Sequence, residues 1–270
     1  MAENTINAVT NADQANVMLD KALAQETVIE PAKIVAPTNI EVSLPGGYIP
    51  FSGELARVAE VRELTGRDEE YIAKAGANNK VFSAILLRGT VKVGNESVTE
   101  DLLSRMLIGD REALLLGIFR ATYGDTAKMG SWCSKCGNQH IVGVDVQNDI
   151  KVRPLLDPVG DRNFTVQGKR STYDVTLPTG AAQARLLEST GATTVEASNI
   201  LLEETLLRID GKPVLSRNQI LDLGLADRAT IIEAIEARTP GPIFDNVTVE
   251  CPDCGGELQV VVDLAAMFRF

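Results

Sequence analysis

The sequence predicts an α+β fold built from two diverged copies of one α+β unit, related by a pseudo-two-fold axis. Two observations support this prediction. Landmarks in the first half of the chain recur in the same order in the second half, and all four cysteines fall in two Cys-x-x-Cys-Gly turns, one in each half. A chain of 270 residues, 44% of them hydrophobic, can form one large domain or two modest ones.

Residues 1–45 are predicted to form an N-terminal arm. Within the arm, residues 11–26 are compatible with a helix whose thin apolar stripe includes Val17, Leu19 and Leu23. Two interpretations remain open for this segment: a frayed tail, or an arm that becomes ordered on a partner.

The first repeat is predicted to span residues 46–150. Residues 56–64 do not distinguish a helix from a strand, because the apolar spacing is too short. The further elements expected in this repeat are a helix that begins near Asp68, a buried segment over 81–87, a helix over 101–108, and a helix over 111–122 that is capped by Asp110.

The second repeat, residues 151–270, carries the landmarks of the first. Gly109-Asp110-Arg111 corresponds to Ala226-Asp227-Arg228. In each copy an apolar trio at i, i+1 and i+4 lies on one helix face. The corresponding trios are Leu114, Leu115, Ile118 and Ile231, Ile232, Ile235, and further pairs are Thr65 with Thr179, Thr122 with Thr239, and Gly124 with Gly241.

The two cysteine turns predict one structural zinc ion, bound by Cys133, Cys136, Cys251 and Cys254. Two residues between thiolates permit a tight turn with both sulfurs directed at one cation, and the following glycine lets backbone amides approach the sulfurs. The two turns are far apart in the chain, which is understandable if each repeat contributes one knuckle to a shared, zinc-ribbon-like site. Alternatives are a redox Cys-x-x-Cys, unmetallated thiols or disulfides, and iron in place of zinc.

The sequence also predicts where the single histidine, the single tryptophan and the C-terminal phenylalanines lie. His140 is expected at the surface or at a strand start, not as a ligand, since four thiolates suffice. Trp132 is expected to pack beside the metal turn, with partner binding as the alternative. Phe268 and Phe270 are expected either to insert into a neighbouring protein or to fold back on the chain's own core.

Composition and motifs disfavour several function classes. The net charge of −11 is opposite to what phosphate neutralisation requires, so no nucleic-acid partner is expected. The single histidine lies close to two cysteines, and neither a GxxxxGK[ST] loop nor a GxGxxG helix start occurs, so the protein is not expected to be an enzyme. Four thiolates leave no open position for a catalytic water.

The chain also lacks the signals for membrane insertion and secretion. The longest apolar runs, such as residues 113–119, are far shorter than the roughly 20 residues that span a bilayer. The N-terminus has neither a basic region nor an apolar region of a secretory signal. We therefore expect no membrane partner, and synthesis in a reducing cytoplasm.

Several motifs taken together resemble the T4-type bacteriophage baseplate hub proteins. The resemblance extends from about residue 44 to 270, and this sequence has Gly46 where the family often has serine. The motifs that carry it are Ser43-Leu-Pro-Gly-Gly-Tyr48, the segment 59–70, Ile108-Gly-Asp-Arg111, Ala121-Thr-Tyr-Gly124, the two Cys-x-x-Cys-Gly turns, and the aromatic C-terminus Met267-Phe-Arg-Phe270.

This resemblance implies a structural protein of the phage tail, located in the central hub of the baseplate and made in the host cytoplasm. Its implied partners are other phage tail and baseplate proteins, its four cysteines form a structural metal site, and no active site is implied. Two alternatives stay open: a hub assembly factor or chaperone that is absent from the mature particle, and an unrelated intracellular zinc-ribbon interaction module. The sequence does not indicate an oligomeric state.

Overall fold

A mixed set of short helices and small antiparallel sheets makes up the fold, as seen in a computed structural model that describes residues 10–24, 32–51, 53–75, 78–189, 193–244 and 247–268. The chain divides into two units, Met1–Ala36 and Pro37–Phe270. The α+β class expected from the sequence is confirmed. Within these described ranges, no helix combines the length and the apolar character needed to cross a membrane.

The unit Met1–Ala36 contains one described helix, α1 (Ala12–Ala24), within the predicted range 11–26. Val17 and Leu19 on this helix are exposed, at 55% and 58% of their surface. The side chain of Leu23 and the last two residues of the predicted helix lie outside the described part of the chain.

Elements of the second unit follow one another in an order that occurs twice. Its first half contains β1 (Asn39–Tyr48), β2 (Ala56–Arg62), α2 (Gly66–Lys74), α3 (Asn78–Gly89), β3 (Thr90–Val93), β4 (Glu96–Ser97), α4 (Glu100–Arg105), α5 (Ile108–Tyr123), β5 (Thr126–Trp132) and β6 (Gln139–Asp145). After β7 (Lys151–Arg153) and a 3₁₀ turn (Gly160–Arg162), its second half contains β8 (Asn163–Gln167), β9 (Thr172–Thr176), α6 (Gly180–Glu188), α7 (Thr194–Thr205), β10 (Leu206–Ile209), β11 (Lys212–Pro213), α8 (Arg217–Leu221), α9 (Leu225–Arg238), β12 (Gly241–Ile243), β13 (Val247–Glu250), β14 (Glu257–Val260) and α10 (Leu264–Met267).

The two halves have the same sheet topology. The strands β1-β2-β3-β4 form one antiparallel sheet in chain order, and β8-β9-β10-β11 form another in chain order. In each half two helices separate the second and third strands, two more follow the fourth strand, and a hairpin closes the half. The strands β7 and β12 pair with each other and stand outside this common pattern.

Equivalent side chains make equivalent hydrogen bonds in the two halves. Arg111 donates to the carbonyl of Leu103 at 2.9 Å, and Arg228 donates to the carbonyl of Ile220 at 2.9 Å, eight residues back in both cases. Thr122 likewise bonds to the carbonyl four residues before it at 2.7 Å, as its counterpart Thr239 does at 2.8 Å. The arginine and threonine landmarks recognised in the sequence thus make the same hydrogen bonds in both halves.

Some predicted boundaries differ from the structure. The predicted arm, 1–45, includes the start of β1, because Asn39 already pairs with Arg62 of β2. The ambiguous segment 56–64 contains a strand, β2, since its neighbours β1 and β3 supply hydrogen bonds on both edges. The segment 81–87 lies within α3, and α4 ends at Arg105, before the predicted end at 108.

The predicted capping role of Asp110 is wrong. The helix α5 begins at Ile108 with Leu107 as its N-cap residue, so Asp110 lies within the first turn. Its buried carboxylate instead accepts the backbone N–H of Gly46 at 2.7 Å, which ties the start of α5 to β1. Burial raises the pKa of Asp110 to about 6, although the Gly46 amide and Arg162 oppose this rise.

Close packing at Gly109 holds the start of α5 against β12. A Cβ atom at position 109 would lie 1.6 Å from the carbonyl oxygen of Pro240, so only glycine fits here. Each residue of the motif Gly-Asp-Arg therefore has its own structural role. Gly109 permits a close backbone contact, Asp110 is a buried hydrogen-bond acceptor, and Arg111 is a buried hydrogen-bond donor.

The hydrophobic core has two main parts. One joins the first four-stranded sheet, α5 and both closing hairpins, and its most buried members include Val61, Ile118, Val144 and Val260. A second core belongs to the second sheet and its helices, with Val175, Leu202, Ile231 and Ile235 at its centre. The hairpin β13–β14 of the second half therefore packs into the core of the first half.

Phe268 belongs to the first of these cores. It is 5% exposed and makes edge contacts with Phe119 and Tyr123, at 6.0 and 6.4 Å between ring centroids. Of the two expectations for this residue, packing on the chain's own core is therefore confirmed. Phe270 lies outside the described residues.

An ion cluster stabilises the start of α2. The fully buried carboxylate of Asp68 accepts hydrogen bonds from Arg62 at 2.8 and 3.0 Å, from Arg88 at 2.7 Å, and from Thr65 at 2.8 Å. Burial favours the neutral acid, but these donors outweigh it and hold the pKa of Asp68 well below its usual range.

We predict that Asp68→Asn lowers the free energy of unfolding by about 3 kcal/mol at neutral pH, because two arginines lose their buried partner. A depressed pKa stabilises the fold fully above the unfolded-state value of about 3.9, and this contribution is lost as the pH falls further. The difference between variant and wild type in urea unfolding should therefore shrink near pH 3. Asp101→Asn is the control: its pair with Arg105 is exposed, and its loss should change stability by less than about 1 kcal/mol. Equal effects of the two variants would contradict this account.

We predict that Phe268→Ala lowers the free energy of unfolding by about 3 kcal/mol, because it leaves a cavity beside Phe119 and Tyr123. Phe51→Ala removes an equally large ring that is 86% exposed, and should lower it by less than about 1 kcal/mol. Thermal unfolding of the two variants measures the difference. A Phe268 variant as stable as wild type would restore the alternative that this ring serves an interface.

Candidate metal centre

The four cysteines lie at the tips of two β-hairpins. Cys133 and Cys136 occupy the turn between β5 and β6, and Cys251 and Cys254 occupy the turn between β13 and β14. These hairpins close the first and second halves of the chain, so sulfurs more than a hundred residues apart in sequence meet at one point.

The sulfur atoms are spaced as a tetrahedral metal site requires. Cys133 Sγ lies 3.7 Å from Cys254 Sγ, Cys136 Sγ lies 3.8 Å from Cys251 Sγ, and all four sulfurs lie within 4.8 Å of one another. A tetrahedron with metal–sulfur distances of about 2.3 Å has edges of about 3.8 Å. The four cysteines can therefore hold a metal ion such as zinc without rearrangement of the turns.

Backbone hydrogen bonds give the two turns the same shape. Cys133 donates its N–H to the carbonyl of Asn138, and Gly137 donates to the carbonyl of Cys133, both at 2.9 Å. Cys251 and Gly255 make the corresponding bonds in the second turn, at 2.8 and 2.9 Å. Gly137 and Gly255 have φ values of 75° and 61°, a region that favours glycine.

The thiol groups influence one another's ionisation. The backbone amide of Cys136 lowers the pKa of the Cys133 thiol to about 6. The backbone amide of Asn138 lowers the pKa of Cys136, but burial and the sulfur of Cys133 outweigh it and raise that pKa to about 12. One thiolate thus suppresses the ionisation of its neighbours, and a cation among them would remove this penalty.

Further contacts join the two hairpins around the sulfur cluster. The side-chain amide of Asn138 donates to the carboxylate of Asp253 at 2.9 Å, and the hydroxyl of Ser131 donates to the carbonyl of Gln259. The aliphatic part of Lys135 lies against Gly256, where a Cβ would be 2.8 Å from Lys135 Cδ. No sequence pattern reveals these contacts, because each joins two residues that are distant in the chain and neither partner belongs to a recognisable motif.

His140 lies closer to the cluster than its expected surface position suggests. It is the second residue of β6, as expected for a strand start, but its side chain is only 10% exposed. Its Nε2 atom lies 3.5 Å from Cys251 Sγ and 3.7 Å from both Cys136 Sγ and the carboxylate of Asp253. The ring therefore contacts sulfurs of both turns and is placed to donate a hydrogen bond to them.

Trp132 does not pack beside the metal turn as expected. It is the last residue of β5, directly before Cys133, and it is 66% exposed. Its side chain shares a strand face with residues that point away from the core, whereas Ser131 and Met129 point inward or to the opposite hairpin.

Comparison of the chain with protein-family models, with curated proteins and with solved structures gives no significant match.

We predict that the purified chain binds one divalent metal ion and that Cys251→Ser abolishes this binding, because a hydroxyl replaces a buried thiolate. Native mass spectrometry gives the stoichiometry, and the variant's free energy of unfolding should fall by at least about 3 kcal/mol. Ser134→Ala, at an exposed position between Cys133 and Cys136 in the other turn of the site, is the control and should keep the ion. A folded, metal-free wild-type chain with four titratable thiols would contradict the prediction.

Proposed function

We propose that this protein is a non-enzymatic structural component of a bacteriophage tail baseplate, in its central hub, held together by one structural zinc ion and acting through protein–protein contacts. The observation that carries the structural part is the spacing of the four cysteine sulfurs, with edges of 3.7 and 3.8 Å between the two hairpins. The phage part is supported by the sequence resemblance described above.

The donor set favours zinc in a structural role. Four sulfur ligands in a tetrahedral arrangement suit zinc, and they leave no coordination position for water or substrate. Structural zinc sites contribute about 10–16 kcal/mol of binding free energy, much of it coupled to folding. An ion here would join the tips of hairpins from both halves of the chain, in addition to the core that both hairpins share.

A duplicated unit with pseudo-two-fold symmetry is a further part of the proposal. Its support is the common element order, the two sheets with equal strand order, and the matching hydrogen bonds of Arg111 and Arg228. Under such symmetry each copy supplies one knuckle, and the zinc ion lies on the axis. The proposed repeats are residues 46–150 and 151–270.

An assembly factor or chaperone that leaves before the particle is complete is the second candidate. It requires the same metal site and the same protein–protein contacts, so the stability of the metal centre does not discriminate between the two. Presence in the mature particle does.

We predict that quantitative peptide mass spectrometry of purified particles of the encoding phage detects this chain at a fixed low copy number relative to the tail-tube protein. Elemental analysis of the purified chain should give zinc and not iron.

A hub protein is needed at few copies, whereas the tube protein repeats along the tail. Absence from particles together with abundance in infected cells would favour the assembly factor, and absence from both would overturn the phage assignment.

A further inference from the structure

The two hairpins that carry the cysteines face each other along two pairs of strands, one pair closely packed and the other separated by a groove. In the first pair β5 lies against β14, and Ser131 bonds to the backbone of Gln259. In the other pair, between β6 and β13, there is an open groove of about 570 Å³. The groove is lined by Ile141, Val142, Gly143, Asp149, Thr248, Val249, Glu250 and Pro252.

The edge of β6 that faces this groove offers backbone groups for hydrogen bonding. The backbone N–H of Cys133 donates to the carbonyl of Asn138, and the backbone N–H of Val146 donates to the carbonyl of Asp125. In an antiparallel hairpin, residue pairs bonded in this way alternate with pairs whose backbone groups point away from the partner strand. By that alternation the backbone N–H and C=O groups of Ile141 and Gly143 point away from β5. In the part of the chain that the structure describes, no strand pairs with this edge of β6.

Exposed apolar side chains lie on the outward face of the same hairpin. Ile141 is 78% exposed and Trp132 is 66% exposed, and strand alternation places both on this face. Gly130, directly opposite Ile141, leaves the surface between them open, since a Cβ there would meet nothing within 4 Å. Tryptophan is among the residues most often found at the centre of protein interfaces.

The charge of the groove specifies the chemistry of an occupant. Both charged residues in its lining, Asp149 and Glu250, are acidic. The whole chain has a net charge of −11, so a second copy would bring like charge to this edge. A segment with basic side chains is favoured instead.

We propose that the β6 edge binds an extended, basic segment of a partner protein, which adds to the hairpin as a further strand. Backbone hydrogen bonds to Ile141 and Gly143 hold the segment, alternate apolar side chains cover Ile141, and basic side chains face Asp149 and Glu250. The proposal rests on the proposed function, in that it assigns one of the protein–protein contacts through which a structural component acts.

The test uses the full-length, metal-loaded chain and two blocked ten-residue peptides, one alternating Lys and Val and the other alternating Glu and Val. Amide hydrogen exchange followed by NMR should show that saturating Lys-Val peptide slows exchange at Ile141 and Gly143 by about tenfold or more. The Glu-Val peptide should give no protection at these amides. Equal protection by both peptides, or none by either, would overturn the proposal.

Two matched pairs of variants locate the binding site. Ile141→Pro removes the outward N–H and should weaken peptide binding by about tenfold, whereas Ile141→Val keeps that N–H and should bind within about twofold of wild type. Glu250→Lys should weaken binding by about fivefold at low salt, and Glu257→Lys, directly across the hairpin from it but outside the groove, by less than about twofold. The charge pair remains decisive if the proline variant does not fold, and equal effects of its two members would count against the groove.

The outcomes also separate this inference from the proposed function. Peptide binding at β6 by a chain that is absent from phage particles would support the interaction edge and reject the baseplate role. If the chain is present in particles but the peptide leaves its β6 amides unaffected, the baseplate role is supported and the interaction edge is rejected. Protection of Ile141 and Gly143 in a dimer without peptide would replace the basic partner with a second copy of this chain.

Discussion

The close approach of four sulfur atoms, all within 4.8 Å of one another, is the constraint that the closing hairpins of both halves must satisfy. Four thiols this close together cannot all ionise, because the resulting thiolates repel one another. The opposite pKa shifts of Cys133 and Cys136 illustrate this effect. A cation at the centre would turn this repulsion into attraction. It would link β5–β6 to β13–β14 at their tips, in addition to the hydrophobic core that both hairpins share.

Asp110 and Asp227, which occupy corresponding positions in the two halves, have different hydrogen-bond donors. Asp227 accepts hydrogen bonds from the hydroxyl of Tyr173 at 2.8 Å and from the amide of Lys169, and Tyr173 chiefly lowers its pKa. Its counterpart Asp110 accepts the backbone N–H of Gly46 at 2.7 Å, and burial raises its pKa to about 6. The buried aspartates of the two halves therefore have different partners, while the neighbouring arginines bond to the carbonyl eight residues back in both halves.

The candidate metal centre combines hydrogen-bonded turns with an open strand edge within a few residues. Hydrogen bonds within each turn and the bond from Asn138 to Asp253 hold the sulfur-bearing tips, and His140 packs against them. On the other side of the same hairpin, Trp132 and Ile141 are exposed beside an open strand edge. A surface on hairpins held by these hydrogen bonds loses little conformational entropy on binding, which suits the proposed role in protein–protein contacts.

The sequence by itself determined the features that depend on local spacing: the α+β class, the four cysteines as a cluster, the arm helix, and the repeated landmarks from Thr65 to Gly241. Local spacing suffices for the helix and for each cysteine turn, because turn geometry and helix periodicity act over a few residues. The recurrence of the same landmarks in both halves of the sequence supplies the link between the two turns. Only the tertiary structure decided that Asp110 binds Gly46 instead of capping its helix, that Phe268 joins the core, that Trp132 is exposed, and that His140 touches two sulfurs. Each of these depends on which distant residue fills the neighbouring space, and that is set by the packing of whole elements, not by the residues nearby in sequence.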